Sequence, residues 1–163
     1  MAGMPKVWGL VVMRCHLAAL VWWAWRGLRR IVSARFGRDT GLYFALITCS
    51  QFHFLFYASR PLPNTICLVF VLWAFVRWLE ERWYAAIAML IIGLSVFRCD
   101  VLILFVPVYL EMVLTGKVNV VKSVSFGILV GLASVAVSVV VDSYYWYGLK
   151  EHCIEYTHAH AHT

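Results

Sequence analysis

The sequence predicts an all-α fold, a polytopic membrane helix bundle with about six transmembrane helices. Three observations carry this. Hydrophobic residues fill 63% of the 163 positions and charged residues only 13%, against roughly a half and a quarter in soluble domains. The apolar residues fall into long runs separated by short basic breaks. Those runs lack the alternation of barrel strands, and helices are the other way to pair every backbone group in lipid. A soluble globular domain is excluded, and so is disorder, because there is ample apolar surface to bury. The aromatic content of 16%, with eight Trp, fits a chain lying between hydrocarbon and headgroups.

The runs can be justified in order. The first is Val7–Trp25, interrupted by Arg14 and His16. It lacks a cleavage site and is expected to act as its own membrane signal. The second, Gly41–Ala58, carries Gln51 and His53. Polar groups at membrane depth turn to the protein interior, and packing hydrogen bonds are the plainer expectation for both. The third, fourth and fifth are Thr65–Leu79, Tyr84–Phe97 and Val101–Leu114, the last containing Pro107. All three are short for a layer of about 30 Å, and flanking Trp and Arg extend them by snorkelling. The pair around Arg98 is alternatively a re-entrant element, which removes two crossings together. The sixth is Ser123–Val141, where Gly127, Gly131 and Ser134 share one helical face and predict a close helix contact.

The net charge of +6 follows the same pattern. On a soluble domain it would suggest nucleic acid; here it sits in helix-orienting breaks, so the expected surroundings are membrane lipid, with no nucleic acid. Arg26, Arg29, Arg30, Arg35 and Arg38 follow run one, Arg77 and Arg82 follow run three, and Lys117 and Lys122 follow run five. The alternate breaks hold only Lys6, Arg60, Arg98 and Lys150. Positive-inside bias assigns the nine-charge face to the cytosol and the other to a lumenal or extracellular space.

Three segments on the poorer face can carry chemistry. In Ser59-Arg60-Pro61-Leu62-Pro63-Asn64 the prolines force a turn. Arg60 beside it is either an anion clamp, since guanidinium matches a phosphate, or a snorkelling helix-end Arg. In Phe97-Arg98-Cys99-Asp100 an Arg and an Asp interrupt an apolar stretch; they line a polar cavity or form a local pair. In Asp142-Ser143-Tyr144-Tyr145-Trp146-Tyr147 an acid is expected to end the last helix, followed by aromatics that form an interfacial belt or a sugar platform. Glu80 and Glu81, between Arg77 and Arg82, are expected in solvated or helix-spaced ion pairs, not in catalysis. The five Cys are scattered without metal or disulfide spacing, and the four in or beside apolar runs are expected to be buried small hydrophobes; the His-Ala tail reads as low-complexity sequence. No P-loop, GxGxxG, HExxH or GxSxG arrangement occurs.

Together the segments resemble a known family. Thr48-Cys49-Ser50-Gln51-Phe52-His53-Phe54-Leu55-Phe56-Tyr57-Ala58-Ser59-Arg60-Pro61-Leu62-Pro63-Asn64 is similar to a stretch of the GT-C dolichyl-phosphate-mannose-dependent mannosyltransferases. The nearest branch is the endoplasmic reticulum α-1,6-mannosyltransferases that add the eighth mannose to lipid-linked oligosaccharide. Phe97-Arg98-Cys99-Asp100 resembles their Phe-Arg-x-acidic motif, and Val141 through Trp146 their Val-Asp-Ser-aromatic-aromatic-Trp motif, in the same order. The resemblance implies a multi-pass endoplasmic reticulum membrane protein with a lumenal site. It implies dolichyl-phosphate mannose and lipid-linked oligosaccharide as substrates in N-glycan assembly, with no cofactor, no metal and no nucleotide sugar. It nominates Arg60, Asn64, Arg98, Asp100, Asp142 and Trp146 for substrate binding, and no residue for catalysis. The family's acidic first lumenal loop has no counterpart here, so the chain is expected to be an internal fragment, inactive alone. Residues 1–146 are expected to form a partial GT-C transmembrane domain, and 147–163 an unrelated tail. The alternatives are a non-catalytic membrane interaction protein, or a mannosyltransferase of GPI-anchor assembly.

Overall fold

The structure, a computed structural model, describes residues 6–97 and 100–160, with side chains for 7–97 and 100–147. Arg98, Cys99 and His162 lie outside the described residues, as do the side chains of Lys6, Lys150, Cys153 and the other tail histidines. The described residues are all-α: α1 (Lys6–Phe36), α2 (Arg38–Ser50), α3 (Phe52–Tyr57), α4 (Pro63–Leu79), α5 (Trp83–Ile92), a π-helical turn (Gly93–Phe97), α6 (Val101–Leu114) and α7 (Val120–His160). Two stretches are long and apolar enough to cross a membrane, Val7–Phe36 and Val120–Tyr147. Pro63–Leu79, Trp83–Phe97 and Val101–Leu114 are shorter apolar helices.

The helices run alternately up and down. Ser33 on α1 meets Gly41 on α2 across the single-residue bend at Gly37, whose φ of 98° suits glycine alone. Trp23 and Gly27 on α1 face Trp73 on α4, and Arg35 reaches Glu81 just beyond it, so α4 runs alongside α1 in the same direction. Cys67 donates to the Gly93 carbonyl at 3.7 Å, which turns α5 back along α4. Trp78 donates to Glu111 at 3.1 Å, and this brings the ends of α4 and α6 together. Tyr84 meets Phe126, and Gly127 and Gly131 both face Ile91, so α7 rises alongside α5. The small-residue face expected on the last helix therefore makes its contact through the two glycines. Ser134 instead donates to the Val130 carbonyl of its own helix.

This path gathers Arg26 through Arg38, Arg77, Arg82, Lys117 and Lys122 at one end of the bundle. We call it the basic end. Two linkages tie it together. Arg35 pairs with Glu81 at 2.6 Å, and Lys117 pairs with Glu111 at 3.2 Å while lying 4.5 Å from the Trp83 ring. Arg77 pairs with Glu80 at 2.7 Å along α4. Glu80 thus makes a helix-spaced pair as expected, whereas Glu81 takes a partner on another helix. Beside this end, Ala86, Ile87, Met112 and Val118 form a buried cluster covered by Trp78, Phe105 and Phe126.

Three runs differ from the expected elements. The Arg26–Arg35 segment is not a loop, because α1 continues to Phe36. Arginine is a good helix former, and nothing breaks the helix before Gly37. Run two is not one helix; the backbone becomes extended at Gln51, φ −80° and ψ 100°, dividing α2 from α3. The last helix does not end at Asp142, since α7 carries on to His160. Neither glycine nor proline falls between Gly131 and Gly148, so no strong breaker stops the helix at Asp142.

Candidate functional site

The first motif makes a turn with little slack. Arg60 donates its backbone N–H to the Tyr57 carbonyl at 3.0 Å, Leu62 to Arg60 at 2.8 Å and Thr65 to Leu62 at 2.9 Å. Leu62 is extended, as a residue before proline must be, and Pro63 opens α4 at a position needing no N–H donor. The buried Thr65 hydroxyl donates to the Tyr57 carbonyl at 3.1 Å, fastening α4 to the end of α3. Over this rigid turn the Arg60 guanidinium lies 4.1 Å from the Phe56 ring centroid and 5.8 Å from that of Tyr57. Arg60 is exposed and has no carboxylate partner among the described residues. A cation this close to the ring is attracted to its face and keeps N–H groups available.

Beside the turn lies a cleft of ≈ 570 Å³, lined in part by Gln51, His53, Tyr57, Asn64 and Thr65. Among the described residues, the Gln51 and His53 side chains make none of the packing hydrogen bonds expected of them. Both are exposed on the cleft wall, because the backbone break at Gln51 turns α3 away from the bundle interior. This polar lining was hidden in the sequence, where Gln51 and His53 read as intrusions into one helix. Asn64 lines the cleft, and Arg60 lies on the adjoining turn, outside its lining.

The second motif follows the π-helical turn, an insertion often found at functional sites. Phe97 stacks on Phe70 of α4 at 5.5 Å, so the turn packs against the half of α4 that begins at Asn64. Asp100 takes the N-cap position of α6, where the positive helix end favours a carboxylate. Arg98 lies outside the described residues. The third motif is helical. Asp142 and Trp146, four residues apart, share one face of α7 with Val139 and Ser143 and line a groove of ≈ 280 Å³. An acid below an indole suits a pyranose, whose hydroxyls bond the carboxylate while its apolar face covers the ring. Trp146 is 68% exposed.

The first two motifs are brought together at the end of α4 opposite the basic end. α7 runs alongside the end of α5 that leads into the π-helical turn, through Ile91, Gly127 and Gly131. From Gly131 to Asp142 the helix climbs about 16 Å. The third motif thus emerges at the same end, although its groove and the Asn64 cleft are separate.

Comparison with known proteins supports a mannosyltransferase lineage. The Arabidopsis thaliana protein named Dol-P-Man:Man(7)GlcNAc(2)-PP-Dol alpha-1,6-mannosyltransferase is 37% identical over 144 residues, 88% of this chain and 29% of its own length. The Drosophila melanogaster protein of that name is 37% identical over 142 residues, 86% of this chain and 21% of its own. The Saccharomyces cerevisiae protein is 34% identical over 118 residues, 71% and 21% respectively. The chain spans less than a third of the length of these curated relatives. No solved structure matches it. Residues 1–155 match the Alg9-like mannosyltransferase family, and the chain belongs to that family.

Proposed function

We propose that this chain is part of an endoplasmic reticulum α-1,6-mannosyltransferase that moves mannose from dolichyl-phosphate mannose to lipid-linked oligosaccharide. The observation that carries the reading is the segregation of charge and motif: the cations crowd one end of the bundle, and the three motifs sit at the other. Positive-inside bias turns the basic end to the cytosol and the motifs to the lumen. In a multi-pass arrangement α1, α2 with α3, α4, α5 with the π-helical turn, α6 and α7 each cross once.

The reaction is an inverting displacement. The acceptor hydroxyl attacks the anomeric carbon, the bond from that carbon to the phosphate oxygen breaks, and the leaving phosphate keeps the electron pair. A carboxylate takes the hydroxyl proton; no residue of this chain is assigned that role. Arg60, seated over the Phe56 ring, and Arg98 steady the phosphate as charge gathers on it. Asn64 supplies both a donor and an acceptor for sugar hydroxyls in its cleft. Asp100, and Asp142 with Trp146, hold further sugar units of donor or acceptor. The test is a microsomal assay in cells lacking the endogenous activity. The 163-residue chain alone is expected to give no transfer to the seven-mannose acceptor. A chimera carrying it in place of the matching 144 residues of the Arabidopsis relative is expected to transfer mannose. A chimera that inserts stably in the membrane and transfers none overturns the reading.

A further inference from the structure

The basic end holds a feature that the transfer reaction does not use. Between α1 and α4 lies a cleft of ≈ 480 Å³ whose wall includes Trp23, Arg26, Gly27, Arg30, Trp73 and Glu80. Its floor is the edge-on contact of Trp23 with Trp73, ring centroids 4.8 Å apart. Gly27 keeps the cleft open: a Cβ there would meet the Trp73 ring at 3.6 Å, so any longer side chain would fill the space. Arg26 and Arg30, one turn apart, stand on the wall. Neither has a carboxylate partner among the described residues, and the lining acid Glu80 is engaged by Arg77 at 2.7 Å.

We propose that this cleft binds the headgroup of an anionic glycerophospholipid. Charge complementarity names the occupant. The basic end carries nine cations against four acids, Asp39, Glu80, Glu81 and Glu111, and the cleft presents two unmatched guanidiniums, which suit a phosphate. Depth points the same way. Trp22 and Trp23 are 55% and 56% exposed just inside Arg26, which is the order of an interfacial aromatic belt followed by headgroup-level cations. The volume falls in the range of a small polar ligand, and basic pockets between membrane helices take such headgroups. On the proposed orientation the lipid comes from the cytosolic leaflet, which is rich in anionic species. The site itself depends on neither that orientation nor the transfer reaction.

The experiment places the 163-residue chain in nanodiscs of equimolar phosphatidylcholine and phosphatidylserine, where both leaflets are alike. Lipid retained on release is read by native mass spectrometry. Phosphatidylserine is expected to be retained in preference to phosphatidylcholine. Arg26→Gln with Arg30→Gln should lower that retention roughly tenfold or more. Arg38→Gln with Lys122→Gln, which removes the same charge at the same end but outside the cleft, should leave it unchanged. Gly27→Leu fills the cleft and keeps every charge, and should abolish retention; Gly27→Ala, which the space accommodates, should not. Equal retention of the two lipids, equal losses from the two charge pairs, or undiminished retention in Gly27→Leu would each overturn the proposal.

Discussion

The α1–α2 hairpin sets the register from which α2 carries α3 to the Asn64 cleft, and its closeness can be probed at Gly41. A Cβ on Gly41 would lie 2.6 Å from Ser33 Cβ and 3.1 Å from both Ser33 Cα and Oγ. That is about 1 Å short of the optimum for carbon contacts. One neighbour is backbone, so no rotamer change relieves it and the helices must part. Overpacking of this kind costs about 1–3 kcal/mol. Alanine returns about 1 kcal/mol through its helical preference over glycine. Gly41→Ala is therefore expected to destabilise by up to about 2 kcal/mol, against the sign that propensity alone would give. Ser33→Gly removes the colliding Cβ and Oγ at about 0.5 kcal/mol in propensity. In the double variant most of the steric term should vanish, giving a favourable coupling of about 1 kcal/mol. The measurement is unfolding in mixed micelles of dodecylmaltoside and dodecyl sulfate, followed by tryptophan fluorescence for all four members of the cycle. Additivity within about 0.5 kcal/mol, or a Gly41→Ala chain more stable than the parent, would refute the reasoning.

Three further outcomes are expected. Glu81 holds a left-handed φ of 64° beyond α4, which costs a non-glycine residue about 1–2 kcal/mol, while its pair with Arg35 is largely solvent-screened at 42% and 62% side-chain exposure. Glu81→Gly should raise stability by about 0.5–1 kcal/mol in the same micelle assay, and a clear loss would show that the pair outweighs the strain. Arg60→Gln should weaken dolichyl-phosphate mannose binding in nanodiscs roughly tenfold, with Arg60→Lys retaining part of the affinity because charge survives without the stacked plane; unchanged binding in Arg60→Gln removes Arg60 from the site. Cysteines introduced at Arg60 and Asp142 in a chain cleared of native Cys should react with impermeant maleimide only from the lumenal side of microsomes, and one at Arg29 only from the cytosolic side. Labelling of positions 60 and 142 from opposite sides would remove the shared site.

Some of this was legible in the residues and some was not, for local reasons. Val101–Leu114 is the helix that its apolar run predicts, because Asp100 starts it and Gly116, at φ 68°, stops it. The same closure follows α4: Arg82 donates to the Arg77 carbonyl at 2.9 Å and Lys117 to Met112 at 3.1 Å. At α4, however, the left-handed residue is Glu81, and no sequence rule reserves that place for glutamate. Its carboxylate reaches Arg35 on another helix, a contact that no local pattern announces. The break at Gln51 was invisible for the opposite reason: neither proline nor glycine marks it, and the extended residue lies between two segments that each read as helical. The grouping of the three motifs at one end was legible from the alternation of basic and non-basic breaks. The cleft joining Asn64 to Gln51 and His53 was not, since it exists only once α3 turns aside.

The length of α1 has a mechanical consequence. Its 31 residues span about 46 Å, more than a bilayer's hydrocarbon thickness of about 30 Å, and no hinge separates its apolar part from the arginine turns. It acts as a stiff lever with its fulcrum at the interfacial tryptophans. Where the membrane thins and the helix leans by about 10° more, the outer eleven residues sweep sideways by roughly 3 Å. On the proposed orientation the stroke reaches the adjoining ends of α2 and α4 through Gly37 and the Arg35–Glu81 contact, so a change in membrane thickness displaces those two helix ends together.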